Sequence, residues 1–504
     1  MRVSDGPRAS GFGGRPARSL ARLAAVSLVV SGPALAGGSS DEACSDCEDL
    51  SSMAFALPKP PPPEVYDGPL FELSHDYPER AKRRREPWRK AIGYREIDVS
   101  NAYAYVEALK DYVADDMQVL LFDYENWDAA ERGWYNQPWL STIREPIHGT
   151  YVGSTFPAGM FPRSGLTETM TTHVLVYYEP VAATSLRKVW GRSAVDPLPG
   201  LERGGGQFPE GSIIVKPAFT TAGGDAWPPI EGAFPWQIYA PPGDGTAGDP
   251  ALQDVYFFQF DIIVKDSKSS PQSQWVFTTL VYDKSVEGDF WDQMVPLGAM
   301  WGNDPGVVPP VGNCYDPEID NCPPLDETWI NPAAPAYSKE TLGWGGRLSG
   351  PNDGAVDISA VVQSKSGSTL RQFDGRFAMS SCMSCHGVAE FEMESFLLPG
   401  PADCDPDSDD CTPTFASCDD RGRCELVPPG PGVDLVYFQP GSHEFSRWFQ
   451  SRPGDEPQDL GTIPLDYGMN YAFKAIPLWL QEALAIDSNF VEEFNNYRGL
   501  RYDD

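Results

Sequence analysis

Two cysteines and a histidine in the last quarter of the chain have the spacing of a covalent attachment site. The segment reads Ser-Cys-Met-Ser-Cys-His-Gly, with two residues between Cys382 and Cys385 and with His386 directly after the second cysteine. In a Cys-x-x-Cys-His sequence, each thiol can form a thioether with one vinyl group of a haem, while the imidazole binds the iron. The pattern therefore predicts one covalent c-type haem held by Cys382, Cys385 and His386.

Paired cysteines also occur in structural disulfides, in half-sites for zinc and in redox dithiols. None of these sites needs a histidine directly after the second cysteine, and a zinc site would need two more thiolate or imidazole ligands nearby. The haem interpretation is preferred because it accounts for His386 as well as for the two thiols.

The residue on the far side of the iron separates an electron carrier from a catalytic haem protein. Met469 precedes an amphipathic segment downstream of the motif, as the sixth ligand does in small cytochromes c, and His443 is the rival ligand. The alternative for Met469 is packing in a core with Tyr471. If Met469 or His443 is bound to the iron as a sixth ligand, we expect electron transfer, which is the function we favour. If that position is open, we expect a peroxidase-like oxidoreductase with His443 or Arg447 beside the iron. No catalytic residue is assigned.

The N-terminal residues agree with haem attachment outside the cytoplasm. A leader containing five arginines precedes an apolar run at 23–30 and a small-x-small site at Ala34-Leu35-Ala36. This order is typical of a secretory signal peptide. We expect residues 1–36 to be removed near Ala36 and the protein to be periplasmic or otherwise exported, the alternative being a retained signal anchor. No later apolar run is long enough to predict a transmembrane span.

The composition restricts the class of partner. The chain has 72 acidic against 38 basic residues and a formal charge of -34. Such a surface repels nucleic acid and anionic lipid, and it would steer association with a redox partner protein that has a basic surface. The sequence assigns no oligomeric state.

Eight cysteines remain outside the haem motif, and an exported protein is expected to pair them in disulfides. Pairing by proximity gives four small loops, although the last four cysteines alone allow three connectivities. The predicted pairs are Cys44 with Cys47, Cys314 with Cys322, Cys404 with Cys411, and Cys418 with Cys424.

The pattern along the chain predicts a multidomain protein. A disordered, proline-rich linker at 37–64 leads to a β-rich domain at 65–350, which we expect to be a sandwich or a barrel. A mainly α, cytochrome c-like haem domain at 351–504 follows. The strands are predicted from β-branched and aromatic runs; they are His173 to Tyr178, Ser212 to Phe219, Val255 to Lys265, and Trp275 to Tyr282.

Near the start of the β-rich region, three-to-four spacing of apolar residues predicts a helix capped by Ser100. Val119 to Phe122 reads as the strand after it. Within the region, His148 and His173 are candidate ligands for a metal or a second iron, although a lone histidine is more often a hydrogen-bonded structural residue.

Several segments together resemble an exported bacterial cytochrome c family. They are Trp-Tyr-Asn-Gln-Pro-Trp at 134–139, Arg-Glu-Pro-Ile-His-Gly at 144–149, Phe-Pro-Glu-Gly-Ser-Ile-Ile-Val-Lys at 208–216, Trp-Val-Phe at 275–277, Trp-Asp-Gln-Met-Val-Pro-Leu-Gly-Ala-Met-Trp-Gly-Asn-Asp-Pro at 291–305, and the haem motif. The resemblance implies a large N-terminal domain of unassigned role before a single C-terminal haem. This chain departs from that family in its acidic, cysteine-containing insertions after Asp304 and Gly400.

Overall fold

The structure is a computed structural model of the 504-residue chain. It describes residues 59–82, 85–137, 144–156, 161, 163–190, 204–242, 248–307, 322–353, 356–357, 360–363, 370–373, 376–377, 381–391, 414–418, 424–426, 435–437, 443–458 and 462–472. The predicted signal peptide, most of the predicted linker, and Cys44, Cys47, Cys314, Cys404 and Cys411 lie outside these residues.

The centre of the protein is one antiparallel sheet of nine strands, which confirms the β-rich region. Their order is β1-β2-β4-β6-β7-β8-β9, with β3 paired to β4 and β5 to β6. The strands are β1 (Tyr151–Phe156), β2 (Met170–Val174), β3 (Tyr177–Tyr178), β4 (Ile213–Thr220), β5 (Pro235–Ala240), β6 (Ala251–Lys265), β7 (Trp275–Tyr282), β8 (Met294–Met300) and β9 (Thr328–Ile330).

The central strands are buried on both faces. Every residue of β7 is buried, and so are the last nine residues of β6. Both faces of this part of the sheet are therefore covered by other parts of the chain. The predicted strand over Trp275 to Tyr282 is confirmed at both ends, whereas the predicted strand over His173 to Tyr178 is divided between β2 and β3.

Five helices precede the haem motif in the described part of the chain: α1 (Pro87–Ala91), α2 (Ala102–Phe122), α3 (Ala129–Arg132), α4 (Pro180–Val189) and α5 (Ala336–Glu340). The prediction of a strand at Val119 to Phe122 is wrong, because α2 continues to Phe122. Its buried face runs on through Met117, Leu120 and Leu121 at helical spacing. The residue before the helix is Asn101 rather than Ser100.

The described residues after 350 form short elements. The strands are β10 (Val356–Asp357), β11 (Ala360–Gln363), β12 (Leu370–Phe373), β13 (Arg376–Phe377), β14 (Glu390–Phe391), β15 (Thr414–Cys418), β16 (Cys424–Leu426), β17 (Leu435–Tyr437) and β18 (Ile463–Pro464). The helices are α6 (Cys382–Gly387), α7 (His443–Trp448) and α8 (Met469–Ala472). These residues do not show the mainly α domain that the sequence predicts. No helix in the described ranges has the length and hydropathy needed to cross a membrane.

Two of the predicted disulfides involve described cysteines. Cys322 is disulfide-bonded. Cys418 and Cys424 are directly opposite each other in the β15–β16 ladder, a placement compatible with the Cα separation that a disulfide needs. Their bond, like the partner of Cys322, remains a prediction.

Candidate haem site

The two cysteines and the histidine of the motif lie on helix α6. The side chain of Ser381 accepts a hydrogen bond from the backbone N–H of Ser384 (3.0 Å), and the Ser384 hydroxyl accepts one from the N–H of Ser381 (2.7 Å). This reciprocal capping satisfies two N–H groups that a helix start otherwise leaves unpaired. Residues three and four apart share a helix face, so Cys382, Cys385 and His386 all lie on one side of α6.

The helix is attached directly to the preceding part of the chain. The backbone N–H of Cys382 donates to the carbonyl of Leu348 (3.0 Å), and the Ser381 hydroxyl donates to Oδ1 of Asn303 (2.6 Å). Met383, between the two cysteines, is fully buried. These contacts cross the predicted domain boundary at 350 and fix α6 against the β-rich region.

We expect Ser381→Ala to lower the free energy of unfolding by roughly 1–3 kcal/mol, because it removes both a serine N-cap and the buried hydrogen bond to Asn303. Denaturant unfolding followed by tryptophan fluorescence measures the change. Ser285→Ala is the matched control, because the Ser285 hydroxyl bonds an aspartate two residues away at an exposed site. Equal effects of the two substitutions would contradict the capping role of Ser381.

The two thiols are free and partly buried. Burial raises the pKa of Cys385 to about 12 and holds the pKa of Cys382 well above its usual range, with the charge of Asp353 adding to both shifts. Both groups are therefore protonated thiols at neutral pH. A redox Cys-x-x-Cys pair has the opposite property, a lowered pKa that yields a thiolate.

The imidazole of His386 has one nitrogen held by the backbone. Its Nδ1 lies 2.9 Å from the carbonyl oxygen of Tyr467, and because a carbonyl only accepts, Nδ1 carries the proton. Burial lowers the pKa of His386, which keeps the ring neutral. The lone pair is then on Nε2, the atom that binds a haem iron. The ring of Phe277 on β7 meets the imidazole edge-on, with 5.1 Å between ring centroids.

The loop that carries Tyr467 is tied to the end of α6. A guanidinium nitrogen of Arg452 donates to the carbonyl of Gly387, and Arg452 also forms a buried ion pair with Glu390 (3.3 Å). The Tyr467 hydroxyl donates to the carbonyl of Arg452 (2.7 Å). The carbonyl that meets Nδ1 of His386 is therefore part of a connected, buried network.

The two candidate sixth ligands are placed differently by the structure. Met469 is the first residue of α8 and is buried, two residues after the carbonyl that meets Nδ1 of His386. That carbonyl lies on the side of the ring away from Nε2. His443 is the first residue of α7, which contacts α6, but its side chain is outside the described part of the structure.

A charged cluster missed by sequence reasoning lies on the same sheet face as Phe277. We define it as Lys216 of β4, Asp261 of β6 and Asp353. The Lys216 ammonium is 3.0 Å from Oδ1 of Asp353 and 3.9 Å from Oδ2 of Asp261. The Thr279 hydroxyl, two residues along β7 from Phe277, donates to Oδ1 of Asp261 (2.8 Å).

Burial raises the pKa of Asp261 to about 7; Lys216 opposes this shift and Asp353 adds to it. The same three charges act on the thiol of Cys382, so the cluster is within electrostatic range of the motif. The only sequence signal was a charged residue within the apolar part of each of two strands, Lys216 after Ile213-Ile214-Val215 and Asp261 before Ile262-Ile263-Val264.

The two other histidines weighed as ligands lie in aromatic or apolar surroundings. His148 stacks on Trp236 with 3.8 Å between ring centroids, and Tyr124 meets its edge at 4.3 Å. His173 is buried on β2. Burial lowers the pKa of His148 to about 3 and that of His173 to about 4, so both rings are neutral.

The residues present fit the donor set of a c-type haem. Two thiols and an imidazole share one helix face, all three residues are only partly buried, and the hydrogen bond at Nδ1 leaves Nε2 as the ligand atom. Within the described ranges, no group of three or more His, Cys, Asp and Glu residues is arranged to hold a metal ion. Comparisons with known protein families, curated proteins and solved structures found no match to the chain.

Proposed function

We propose that the protein is an exported c-type cytochrome that binds one covalent haem and transfers electrons. The observation that carries the proposal is the hydrogen bond from Nδ1 of His386 to the carbonyl of Tyr467, made beside two thiols on the same helix face. Histidines that bind metals almost always donate their other N–H in this way, which fixes the tautomer and the ring orientation. A bound haem would supply one-electron exchange at its iron.

The roles of the chain's own residues follow from their positions. Cys382 and Cys385 would hold the porphyrin covalently, and His386 would bind the iron through Nε2. Phe277 limits rotation of the imidazole from the sheet side. Met469 remains the proposed sixth ligand, with His443 as the alternative.

The remaining features of the proposal rest on the sequence. Residues 351–504 would constitute a mainly α haem domain, and the nine-stranded sheet would belong to a sandwich or barrel. The predicted signal peptide supports export. The charge of -34 supports a basic redox partner.

A second candidate function is a haem oxidoreductase with an open iron. The placement of Tyr467 favours this function. Its carbonyl, two residues before Met469, accepts a hydrogen bond from Nδ1 of His386, on the side of the ring away from Nε2. Met469 therefore follows a residue that is held on the Nδ1 side of the imidazole, whereas the iron would bind at Nε2. The cluster of Lys216, Asp261 and Asp353 also places polar groups near the motif, as enzymes that transfer protons require.

Optical spectroscopy of protein made in a host with haem-attachment machinery separates the two functions. A low-spin spectrum with a methionine-to-iron band supports the electron carrier with Met469 as ligand. A high-spin spectrum that changes on addition of cyanide supports the open iron and contradicts both proposed sixth ligands.

The charged cluster predicts that the reduction potential depends on pH near neutrality. The pKa of Asp261 is raised to about 7 by burial, and the charged groups around it are Lys216 of β4 and Asp353. Reduction adds a negative charge to the haem and favours the protonated carboxyl. The potential should therefore rise as pH falls, by at most ~59 mV per unit for one proton and one electron.

Redox titrations from about pH 5 to about pH 9 check this prediction, since that window brackets the raised pKa. Asp261→Asn should flatten the slope, whereas Asp67→Asn, at an exposed position, should retain it. The same slope in all three proteins would show that Asp261 is not the coupled group.

A further inference from the structure

Asp466 is a fully buried carboxylate that accepts hydrogen bonds from three donors. Its Oδ1 is 2.5 Å from the ammonium of Lys265 on β6 and 2.8 Å from Nε1 of Trp275 on β7. Its Oδ2 accepts from the backbone N–H of Phe208 (2.8 Å). No side chain of the haem motif is among these partners, so the contacts connect Asp466 to the sheet region rather than to α6.

The backbone at Asp466 and Tyr467 has an unusual conformation. Their φ angles are 54° and 61°, two consecutive non-glycine residues in the left-handed region. Side chains with a Cβ rarely adopt this conformation, and it persists where surrounding contacts impose it. The Asp466 carboxylate supplies three of those contacts, and its backbone N–H donates to the carbonyl of Gly454 (3.1 Å).

The conformation of this turn sets the direction of one functional group. The peptide carbonyl of Tyr467, directly after Asp466, is the acceptor for Nδ1 of His386. If the turn relaxed to a right-handed conformation, the carbonyl would point elsewhere and Nδ1–H would lose its partner. The contacts of Asp466 therefore act on His386 through the backbone of one residue.

We propose that Asp466 is a positioning residue, which holds the 466–467 turn against the sheet so that the Tyr467 carbonyl is aimed at Nδ1 of His386. The inference rests on the proposed function, because it assigns His386 as the iron ligand. A hydrogen bond at Nδ1 makes the imidazole a stronger donor to the metal. It therefore stabilises ferric over ferrous iron, and Asp466 keeps the reduction potential lower than it would otherwise be.

The test measures the reduction potential of the haem-loaded protein and the solvent-exchange rate of the His386 Nδ1 proton by NMR. Asp466→Asn keeps the shape of the side chain but loses the charge paired with Lys265. Trp275→Phe removes the Nε1–H donor without changing any charge and keeps a six-membered ring to pack against Phe208 and Phe277. We expect both variants to raise the potential and to speed exchange of the Nδ1 proton.

For Asp466→Asn we expect roughly a tenfold shift of the oxidised-to-reduced ratio, which corresponds to ~59 mV for one electron, and a smaller shift for Trp275→Phe. Asp455→Asn is the charge-matched control, because Asp455 is exposed, accepts a bond from the side chain of Gln274 and makes none with the turn. The control should keep the wild-type exchange rate and move the potential less than Asp466→Asn does.

Two results would overturn the positioning role. One is an Asp466→Asn shift equal to that of Asp455→Asn, with an unchanged exchange rate in both, since charge loss alone would then account for it. The other is wild-type potential and exchange in Trp275→Phe. A wild-type protein without covalent haem would instead defeat the proposed function, and it is recognised before any variant is made.

Discussion

The double variant Cys382→Ser/Cys385→Ser is expected to carry no covalent haem, so that acid and organic solvent extract all of the pigment from it. In the proposed site each thiol of the motif would supply one thioether bond, and serine cannot replace sulfur in that bond. Mass analysis of the peptide spanning residues 381–387 should show the haem mass in the wild type and the unmodified mass in the double variant. Each single variant should keep one bond and a changed optical spectrum.

Cys418→Ser/Cys424→Ser is the matched control, since it also removes two cysteines from the C-terminal region. It should retain one covalent haem, because these cysteines lie in the β15–β16 ladder rather than on α6. Haem that stays bound after extraction of the Cys382→Ser/Cys385→Ser protein would show that the attachment point is elsewhere.

Lys265→Met is expected to cost about 3–5 kcal/mol in the free energy of unfolding, the usual cost of removing one partner of a buried ion pair. The side chains of Lys265 and Asp466 are 7% and 0% exposed, and their charged atoms are 2.5 Å apart. Without the ammonium, the Asp466 carboxylate keeps two neutral N–H donors but loses its ion-pair partner. Methionine fills a similar volume, so the loss of charge dominates.

Denaturant unfolding measures this effect, with Lys284→Met as the control. Lys284 and Glu231 form an ion pair of similar length (2.8 Å), but their side chains are 44% and 74% exposed. Exposed pairs typically contribute ~1 kcal/mol or less, so the control should unfold close to the wild type. Similar costs for the two substitutions would contradict the structural importance assigned to the Lys265–Asp466 pair.

The sequence predicts the parts of the fold that depend on local pattern. The run from Trp275 to Tyr282 combines β-branched and aromatic residues and forms β7 over the same bounds. Val119 to Phe122 is a short apolar run with a strand-favouring residue at each end, but it continues α2. There, burial of Leu120 and Leu121 along the helical face outweighs the local preference, and a short apolar run does not reveal this.

The candidate site also has one part that the sequence predicts and one part that it does not. Cys382, Cys385 and His386 are close together in the sequence, so the spacing alone indicates their chemistry. The acceptor for Nδ1 of His386 is a backbone carbonyl of Tyr467, and no residue type marks such a group. It becomes visible only when the chain has folded and the loop after β18 meets α6.

The groups from the sheet could not be assigned from sequence for a related reason. Lys216 and Asp261 are cross-strand partners in the β4–β6 ladder, and neither residue has an evident role when its own strand is read alone. Lys265 and Asp466 are paired across 201 residues of the chain. Buried charges that depend on a distant partner are set by topology rather than by local pattern.

The most direct test of the central claim is the intact mass of the wild-type protein, made in a host with haem-attachment machinery, together with its optical spectrum. The structure and the sequence predict the mass of one haem on the peptide that contains Cys382 and Cys385, and a spectrum with histidine bound to iron. A colourless protein of unmodified mass would contradict the assignment of this site as a covalent haem centre.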